Sequence, residues 1–426
     1  MSATVSLASP ARDRATTRTA MLGLGLGNAL EWYDWMLFGL VSAYIGPHFF
    51  PSHDHIASTL SALAVFAVGF AVRPLGGVLL GAVADRIGRR RIMLLSVTLM
   101  AITTLVIAIS PTYAQIGVWA GVILLVCRLV QGVSTGIEAP LATAYAVEVS
   151  PPGREARAAG YISLFVNLGL VLASLVSFFT SLALGAEAMQ EWGWRVPFLI
   201  GSLMGLVVLY LRRALPETLH ESDRAETSVW RGVGKHWLGL LAMIFVVGAA
   251  QAYNYAWTVG LPTLARSTFQ EDPTWVFAAS TGLGLVLLAG SPLVGWLADK
   301  YKLSRTFTVT RLLAVPSVFL MLLYSQPGLG GLFGVIFGGS VVLVLNMTLY
   351  NIVATSLMPK YCRATGAALG YGIAVALFGG TASYLLVWLQ NNQLIWMFPI
   401  YIAALSLISV VLYLAARKFS GTFAGE

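Results

Sequence analysis

Twelve apolar runs, each about as long as the 20 residues that a helix needs to cross a hydrocarbon core of about 30 Å, divide this chain from end to end. They cover approximately residues 20–46, 56–82, 92–110, 115–138, 158–183, 195–213, 237–258, 274–297, 306–324, 329–354, 364–388 and 395–416. A lipid core offers no hydrogen-bond partners, so such runs cross it as helices that satisfy their own backbone groups. Composition agrees: 58% of residues are apolar, only 10% are charged, and the mean hydropathy is +0.79, outside the range of soluble domains. Polar, Gly and Pro residues interrupt several runs, and these survive in a bilayer where neighbouring helices or a water-filled cavity satisfy them. The expected fold class is therefore all-α integral membrane, a packed bundle of transmembrane helices numbered 1 to 12 in chain order.

Positive charge fixes the expected orientation, because Lys and Arg collect on the cytoplasmic side. With the N-terminus inside, 22 of the 26 Lys and Arg residues fall on that side, counting Arg212 with the central stretch and Arg311 with the flank of the loop between helices 8 and 9. Arg195 and Arg266 fall outside, and Arg73 and Arg128 lie within apolar runs. Both termini are expected in the cytoplasm, as tails of residues 1–19 and 417–426. The net charge of +8 thus reads as a topology signal and an attraction to anionic membrane lipid, not as a nucleic-acid surface. The first run is too long for a signal peptide and no small-residue cleavage site closes it.

The sequence carries little that points to catalysis. Cys127 and Cys362 give neither a disulfide framework nor metal-ligand spacing. His53 and His55 read as a solvated loop rather than a metal site. "GLGLG" at 23–27 has no preceding strand and lies inside the first spanning helix, where small residues let helices approach closely. No Walker sequence, nucleophile elbow or HExxH is present. The expectation is no enzyme and no cofactor, with a proton as the coupling ion.

Residues 214–236 form the longest charged, non-apolar stretch, a cytoplasmic linker between six-helix bundles at 20–213 and 237–416. An internal repeat supports this division. "GAVADRIGRRR" at 81–91 is matched by "GWLADKYKLSR" at 295–305, 214 positions on, and "RAAG" at 157–160 by "RATG" at 363–366, 206 positions on.

"GAVADRIGRRR" resembles the loop signature between helices 2 and 3 of the major facilitator superfamily. "GNALEWYD" at 27–34, "RPLGG" at 73–77, "CRLVQG" at 127–132 and "EWGWRVPF" at 191–198 resemble one bacterial branch of it, the metabolite:proton symporters that include carriers of 2-oxoglutarate, citrate, shikimate and proline/betaine. The resemblance implies two parallel six-helix repeats that rock about a midplane site, a bacterial cytoplasmic (inner) membrane location and a single chain as the working unit. It also implies that helices 1, 4, 7 and 10 line the cavity. By family analogy Asp85 would attract a helix N-terminus of the other half, Arg89 would pair with acids such as Glu148, and Asp299 would answer Asp85 in the second repeat, holding the inner gate shut. The chain departs from the pattern at Lys302 and Leu303 in the second loop, and at Ile137, Ala139 and Pro140 in helix 4.

Mid-span polar residues do concentrate on helices 1, 4, 7 and 10: Asn28, Glu31 and Asp34; Arg128, Gln131, Thr135 and Glu138; Gln251 and Asn254; Asn346 and Asn351. Helices 3, 6, 9 and 12 are comparatively bare. Glu31 and Asp34 stand three apart and so project from neighbouring positions on one helix face. A charge at the bilayer centre costs roughly 2.5–3.5 kcal/mol on insertion scales, so these groups need partners, protons or water. Two readings are open. Arg128 pairs with Asp34, Glu31 or Glu138 to lock helices together, or it holds a substrate carboxylate while a nearby acid, Asp34 first, takes and releases the coupling proton. Arg73, ahead of Pro74, reads as snorkelling or structural pairing, and Arg195, beside Trp192 and Trp194, as an aromatic-belt anchor. Tyr253, Tyr255, Trp257 and Tyr350 form the expected opposite wall, with Asn254, Tyr255 and Asn351 as candidate substrate contacts.

The expected function is proton-coupled import of a small organic acid, a di- or tricarboxylate or 2-oxo acid, with Arg128, Gln131, Asn254, Tyr255, Asn346, Tyr350 and Asn351 binding it and Asp34, Glu31 and Glu138 handling the proton. A zwitterionic osmolyte such as betaine or proline is the alternative substrate, and a non-transporting sensor with the same fold the alternative class.

Overall fold

The computed structural model describes residues 14–87, 89–149, 155–213, 233–300, 303–358 and 363–420, and all regular structure among them is helical. Helix 1 runs over Arg14–Leu40 and continues as Ser42–Phe49; helix 2 is His55–Ala71 and Arg73–Ile87; helices 3 to 6 are Arg89–Ile109, Trp119–Val149, Glu155–Ala188 and Arg195–Arg212. Helix 7 is Trp237–Tyr255, a π-helical turn Ala256–Gly260, and Leu261–Ser267. Helix 8 is Pro273–Lys300, helix 9 Leu303–Ser317 with a 3-10 extension Val318–Tyr324, and helix 10 Leu329–Ser356. Helix 11 is Arg363–Ala374, a second π-helical turn Val375–Gly379, and Gly380–Asn391, and helix 12 is Met397–Ser420. Of the linker expected at 214–236, residues 214–232 lie outside the described residues.

Eleven of these helices are long and apolar enough to cross a membrane. Helix 1 falls short of that apolarity because Asn28, Glu31 and Asp34 stand in its middle, yet it is buried from Gly27 to Gly46 inside the bundle. The twelfth span expected from sequence is therefore the most enclosed helix, and its polar groups are the reason it must be enclosed.

Small residues set how closely the helices approach. Helices 2 and 4 meet backbone to backbone: a Cβ on Gly132 would strike the Gly69 carbonyl, one on Gly136 the Arg73 carbonyl, and one on Gly76 the Val133 carbonyl. "RPLGG" and "CRLVQG" thus serve one contact, which brings Arg73 and Arg128 alongside each other. In "GLGLG" a Cβ on Gly25 would lie 2.5 Å from the Phe165 ring, which supports the close-packing reading of that motif.

Among the described residues the two halves meet chiefly in three helix pairs. Helices 5 and 8 run antiparallel, with Asn167 Nδ2 donating to Ser291 Oγ at 3.2 Å, Val171 against Gly284, and Ser181 and Thr274 hydroxyls 2.9 Å apart. Helices 2 and 11 do likewise, with Phe70 against Gly380 and Pro74 against Gly372. Helices 1 and 7 run parallel, as direct repeats require, and close the end of the bundle away from the basic loops. There Gly39 lies against Val259, the Ser42 and Thr263 hydroxyls are 3.2 Å apart, Thr263 also donates to the Gly39 carbonyl at 3.2 Å, and Arg266 Nε donates to Tyr44 Oη at 3.1 Å.

Two charges counted with the basic loops lie inside the bundle instead. Arg212 is 0% exposed, its Nε donating to the Gly23 carbonyl and its Nη1 to the Met93 carbonyl, both at 3.2 Å. Arg311 is 1% exposed within helix 9, donating to the Val246 carbonyl at 2.9 Å. A guanidinium has enough donors to reach backbone carbonyls of neighbouring helices, so both tie helices together rather than mark a loop. Arg195 likewise does more than anchor in an aromatic belt: Nη1 donates to the carbonyls of Ala108 and Ser110 at 2.7 and 2.8 Å, closing the end of helix 3.

Candidate functional site

Helix 1 carries its two acids one turn apart, and each meets a different arginine. Arg128 Nη1 of helix 4 donates to Asp34 Oδ2 at 3.0 Å. Thr104 of helix 3 donates its hydroxyl to the other oxygen, Oδ1, at 2.6 Å, and Gln131 Nε2 donates to Thr104 Oγ1 at 3.2 Å. Asp34, Arg128 and Gln131 are each 0% exposed. Both Asp34 oxygens are thus engaged, whereas Arg128 Nε and Nη2 have no hydrogen-bond partner among the described residues. An Arg–carboxylate pair usually forms two parallel N–H···O bonds; this one uses a single prong.

Glu31 is held from the other side. Arg73 Nη2 of helix 2 lies 3.4 Å from Glu31 Oε1, with both side chains buried. Arg73 therefore does not snorkel. Its guanidinium sits 4.3 Å from the Trp35 ring centroid and 4.5 Å from that of Phe70, and the two rings are 4.1 Å apart. Arg128 stands over Phe38 at 3.9 Å and at 5.4 Å from Trp35. Such contacts are worth about 2 kcal/mol each when desolvated, and here they replace part of the hydration that two buried cations give up.

The second half faces this charge set with neutral groups. Gln251 Nε2 of helix 7 donates to Tyr350 Oη at 3.0 Å and to Tyr371 Oη of helix 11 at 3.2 Å, and Asn254 Nδ2 donates to Gln251 Oε1 at 3.5 Å. Tyr255 reaches across to helix 2, its ring 5.9 Å from Phe66 and 5.1 Å from Phe70. Its hydroxyl has no hydrogen-bond partner among the described residues. Tyr255 and Tyr371 both interact electrostatically with Arg73 and Glu31. The π-helical turns of helices 7 and 11 begin one residue after Tyr255 and four after Tyr371, a local defect that is frequent at functional positions.

Asp34, Arg128 and Gln131 are thus joined through Thr104 within the first half, Glu31 pairs with Arg73 beside Tyr255, and Asn254 and Tyr350 are joined through Gln251 in the second half. Asn346 joins none of these: its Nδ2 donates to the Thr310 and Val342 carbonyls at 3.2 and 2.9 Å, which turns it toward helix 9. Tyr253, bonded to Ser317 and Gly339, and Trp257, bonded to the Val335 carbonyl, are likewise turned away. The side chains of Glu138, Asn351, Asp85, Arg89, Glu148 and Asp299 lie outside the described residues. Sequence reasoning missed Trp35, Thr104 and Tyr371 as members of the cluster, and of its two readings of Arg73, snorkelling or pairing, the pairing is the one observed. Charge balance is the signal for Arg73, because two acids on helix 1 need two cations and Arg73 is the other arginine inside an apolar run. Among the described residues no group of His, Cys, Asp or Glu could hold a metal ion.

The family model of the Major Facilitator Superfamily matches residues 24–383. The chain belongs to that superfamily. It is 32% identical to the alpha-ketoglutarate permease of Escherichia coli (strain K12), over 94% of this chain and 93% of the relative. It is 32% identical to the citrate-proton symporter of Salmonella typhi, over 87% of each, and 31% identical to the proline/betaine transporter of Salmonella typhimurium, over 93% of this chain and 83% of the relative. The crystal structure of a D-xylose-proton symporter superposes with a TM-score of 0.72 at 20% identity, covering 94% of this chain and 97% of that one, a likeness of fold. The protein is thus a multi-pass secondary transporter of the major facilitator fold and not an enzyme.

Proposed function

We propose that this transporter is a proton-coupled symporter of a small organic acid in the bacterial cytoplasmic membrane, with both termini in the cytoplasm. The observation that carries the reading is the single-pronged Arg128–Asp34 pair, a buried guanidinium that keeps Nε and Nη2 for a second carboxylate. A substrate carboxylate that takes Arg128 leaves Asp34 buried without its cation, a state that is strongly unfavourable unless Asp34 takes up a proton. Substrate and proton then bind together and leave together, and rocking of the two halves exposes the loaded or empty site to either side. The names of two relatives, an alpha-ketoglutarate permease and a citrate-proton symporter, support the same class.

One observation favours betaine as a second reading: Trp35, Phe66, Phe70 and Tyr255 form an aromatic cluster of the kind that receives quaternary ammonium groups. The proline/betaine relative agrees with it. We favour the acid because the faces of Trp35, Phe70 and Phe38 are already taken by Arg73 and Arg128, which leaves room for an anion among cations rather than for another cation. Uptake into proteoliposomes under an acid-outside, negative-inside gradient tests the reading. The wild type accumulates 2-oxoglutarate or citrate, whereas Asp34→Asn keeps counterflow exchange but loses accumulation. Intact uphill uptake by Asp34→Asn, or accumulation of betaine with no carboxylate moving, overturns it; binding without accumulation identifies a sensor.

A further inference from the structure

At the end of the bundle away from the basic loops, Arg195 opens helix 6 as a cation without a counter-charge. Its Nη1 donates to the Ala108 and Ser110 carbonyls, and its guanidinium stands 4.4 Å from the Trp194 ring centroid. Among the described residues no carboxylate lies within 4.0 Å of it, and no acid acts on it electrostatically. A guanidinium carries five N–H donors. Nη1 uses its two, while Nε and Nη2 make no hydrogen bond among the described residues and are not buried. Three donors of a half-buried cation are therefore left for something outside the protein.

Arg195 lines an open cavity of about 560 Å³, walled by residues 108–111 at the end of helix 3 and by Gln115 and Ile116 of the short turn Tyr113–Ile116. Gln115 is held in a capping box, its Oε1 accepting from the Thr112 backbone N–H at 2.9 Å, which leaves its Nε2 as a further donor. The cavity stands at the head of two apolar strips. Ile102, Leu105 and Ile109 of helix 3 recur every three or four residues and are exposed, and so do Leu199, Leu203 and Leu206 of helix 6. The two helices pack on each other between those strips, with Gly205 against Ala101 and the Ser202 hydroxyl donating to the Ala101 carbonyl at 3.2 Å. Exposed Tyr113, Trp119 and Trp192 stand at the same end, as aromatic rings do at a membrane–water boundary. The free edge of Arg195 thus lies where lipid-facing surface gives way to water.

We infer that this cavity seats the phosphodiester of an anionic phospholipid, with Arg195 Nε and Nη2 on the phosphate and the acyl chains along the exposed strips of helices 3 and 6. Guanidinium groups meet phosphate with two parallel N–H···O bonds, and Arg195 keeps the two nitrogens that such a contact needs. The strips decide between a lipid and a free anion, because a soluble phosphate has no use for apolar surface below its site. Charge decides the headgroup. A choline or ethanolamine headgroup brings its own ammonium to its phosphate, whereas a glycerol headgroup brings none, so a cation without a counter-charge favours the second. A lipid so held joins the turn between helices 3 and 4 to the start of helix 6. None of the cavity residues belongs to the buried charge cluster of helices 1, 2 and 4, so the inference stands independently of the substrate.

Photo-crosslinking of the full chain in phosphatidylcholine nanodiscs tests it, with a trace of phosphatidylglycerol or phosphatidylcholine carrying a photoreactive group next to the headgroup. Peptides covering residues 108–119 and 195–206 should collect the phosphatidylglycerol probe about fivefold more than the phosphatidylcholine probe, the factor that one basic residue contributes beside anionic lipid. Gln115→Glu keeps the capping box and leaves the carbonyl contacts of Arg195 in place, but adds a negative charge to the cavity wall. It should bring the ratio at these peptides to near one while crosslinks at the basic loops stay unchanged. Arg195→Gln should do the same and also lower the thermal midpoint; should it not fold, the wild type and Gln115→Glu decide. A ratio near one in the wild type, or an undiminished fivefold ratio in Gln115→Glu, overturns the inference. Displacement of the lipid probe by soluble glycerol phosphate would mark a free-anion site and overturn the lipid assignment.

Discussion

Trp35 is the point at which both ion pairs can be perturbed without touching a charge. Its indole is fully buried and meets Arg73 at 4.3 Å and Arg128 at 5.4 Å. Both lie inside the roughly 6 Å range of a cation–π contact, worth about 2 kcal/mol each when desolvated. Trp35→Leu removes both contacts, about 3–4 kcal/mol in sum, and Trp35→Phe keeps a weaker ring in the same stack and about half of that. The two variants share the loss of indole bulk, so both lower the thermal midpoint of the purified protein. They should separate in the apparent affinity for 2-oxoglutarate, because arginines held only by Phe70 and Phe38 settle closer to Glu31 and Asp34 and, in the proposed exchange, Arg128 must be pulled away again. A difference of about 2 kcal/mol corresponds to roughly thirtyfold in KM between Leu and Phe. The assay is saturation of counterflow exchange, which needs no gradient and so isolates binding from coupling. KM values within twofold of each other would refute the claim that the ring positions the guanidinium groups.

Three further substitutions separate packing from binding. Gly136→Ala drives a methyl into the Arg73 carbonyl, a backbone atom that cannot swing aside, and should cost about 1–3 kcal/mol of stability, read as a lowered thermal midpoint. Gly334→Ala, where the added methyl meets nothing within 4 Å, should leave that midpoint unchanged or raise it. Asn346→Ala removes donors to the Thr310 and Val342 carbonyls and should lower the midpoint while leaving KM unchanged. A tenfold rise in KM for that variant would return Asn346 to the set that touches substrate.

The spans were legible because hydropathy is local: about 20 apolar residues announce a crossing wherever they stand. Asp34 and Arg128 were legible for a related reason, since a charge in such a run demands a partner and few candidates exist. Which acid meets which cation was not, because that depends on how helices 1, 2 and 4 cross. The crossing is set by glycines at 69, 76, 132 and 136, whose contribution is the absence of a side chain. Thr104 escaped notice because a threonine in an apolar helix is ordinary and bonds its own backbone as readily as another helix. Asn346 misled in the opposite sense: a polar residue on a cavity-lining helix still has a back face, and the carbonyl of Thr310 claims it. Arg212 and Arg311 were read as loop charges because each stands near the end of its apolar run, and only the packed bundle shows the carbonyls that receive them.

The contact between helices 1 and 7 bears on how readily the molecule moves. Among the described residues, beside the packing of Gly39 on Val259, the polar part of that closure is made of hydroxyls and one guanidinium on a phenol: Ser42 with Thr263, Thr263 with the Gly39 carbonyl, and Arg266 with Tyr44. Each such bond is worth about 0.5–1.5 kcal/mol net, because water stands ready to replace either partner. Three of them sum to about 2–4 kcal/mol, which is the size of gap that leaves an alternative arrangement populated at the per cent level or a little below. The closure behaves as a light spring whose strength depends little on salt, and under the proposed mechanism the proton gradient is then left to drive the exchange of charges deeper in the protein.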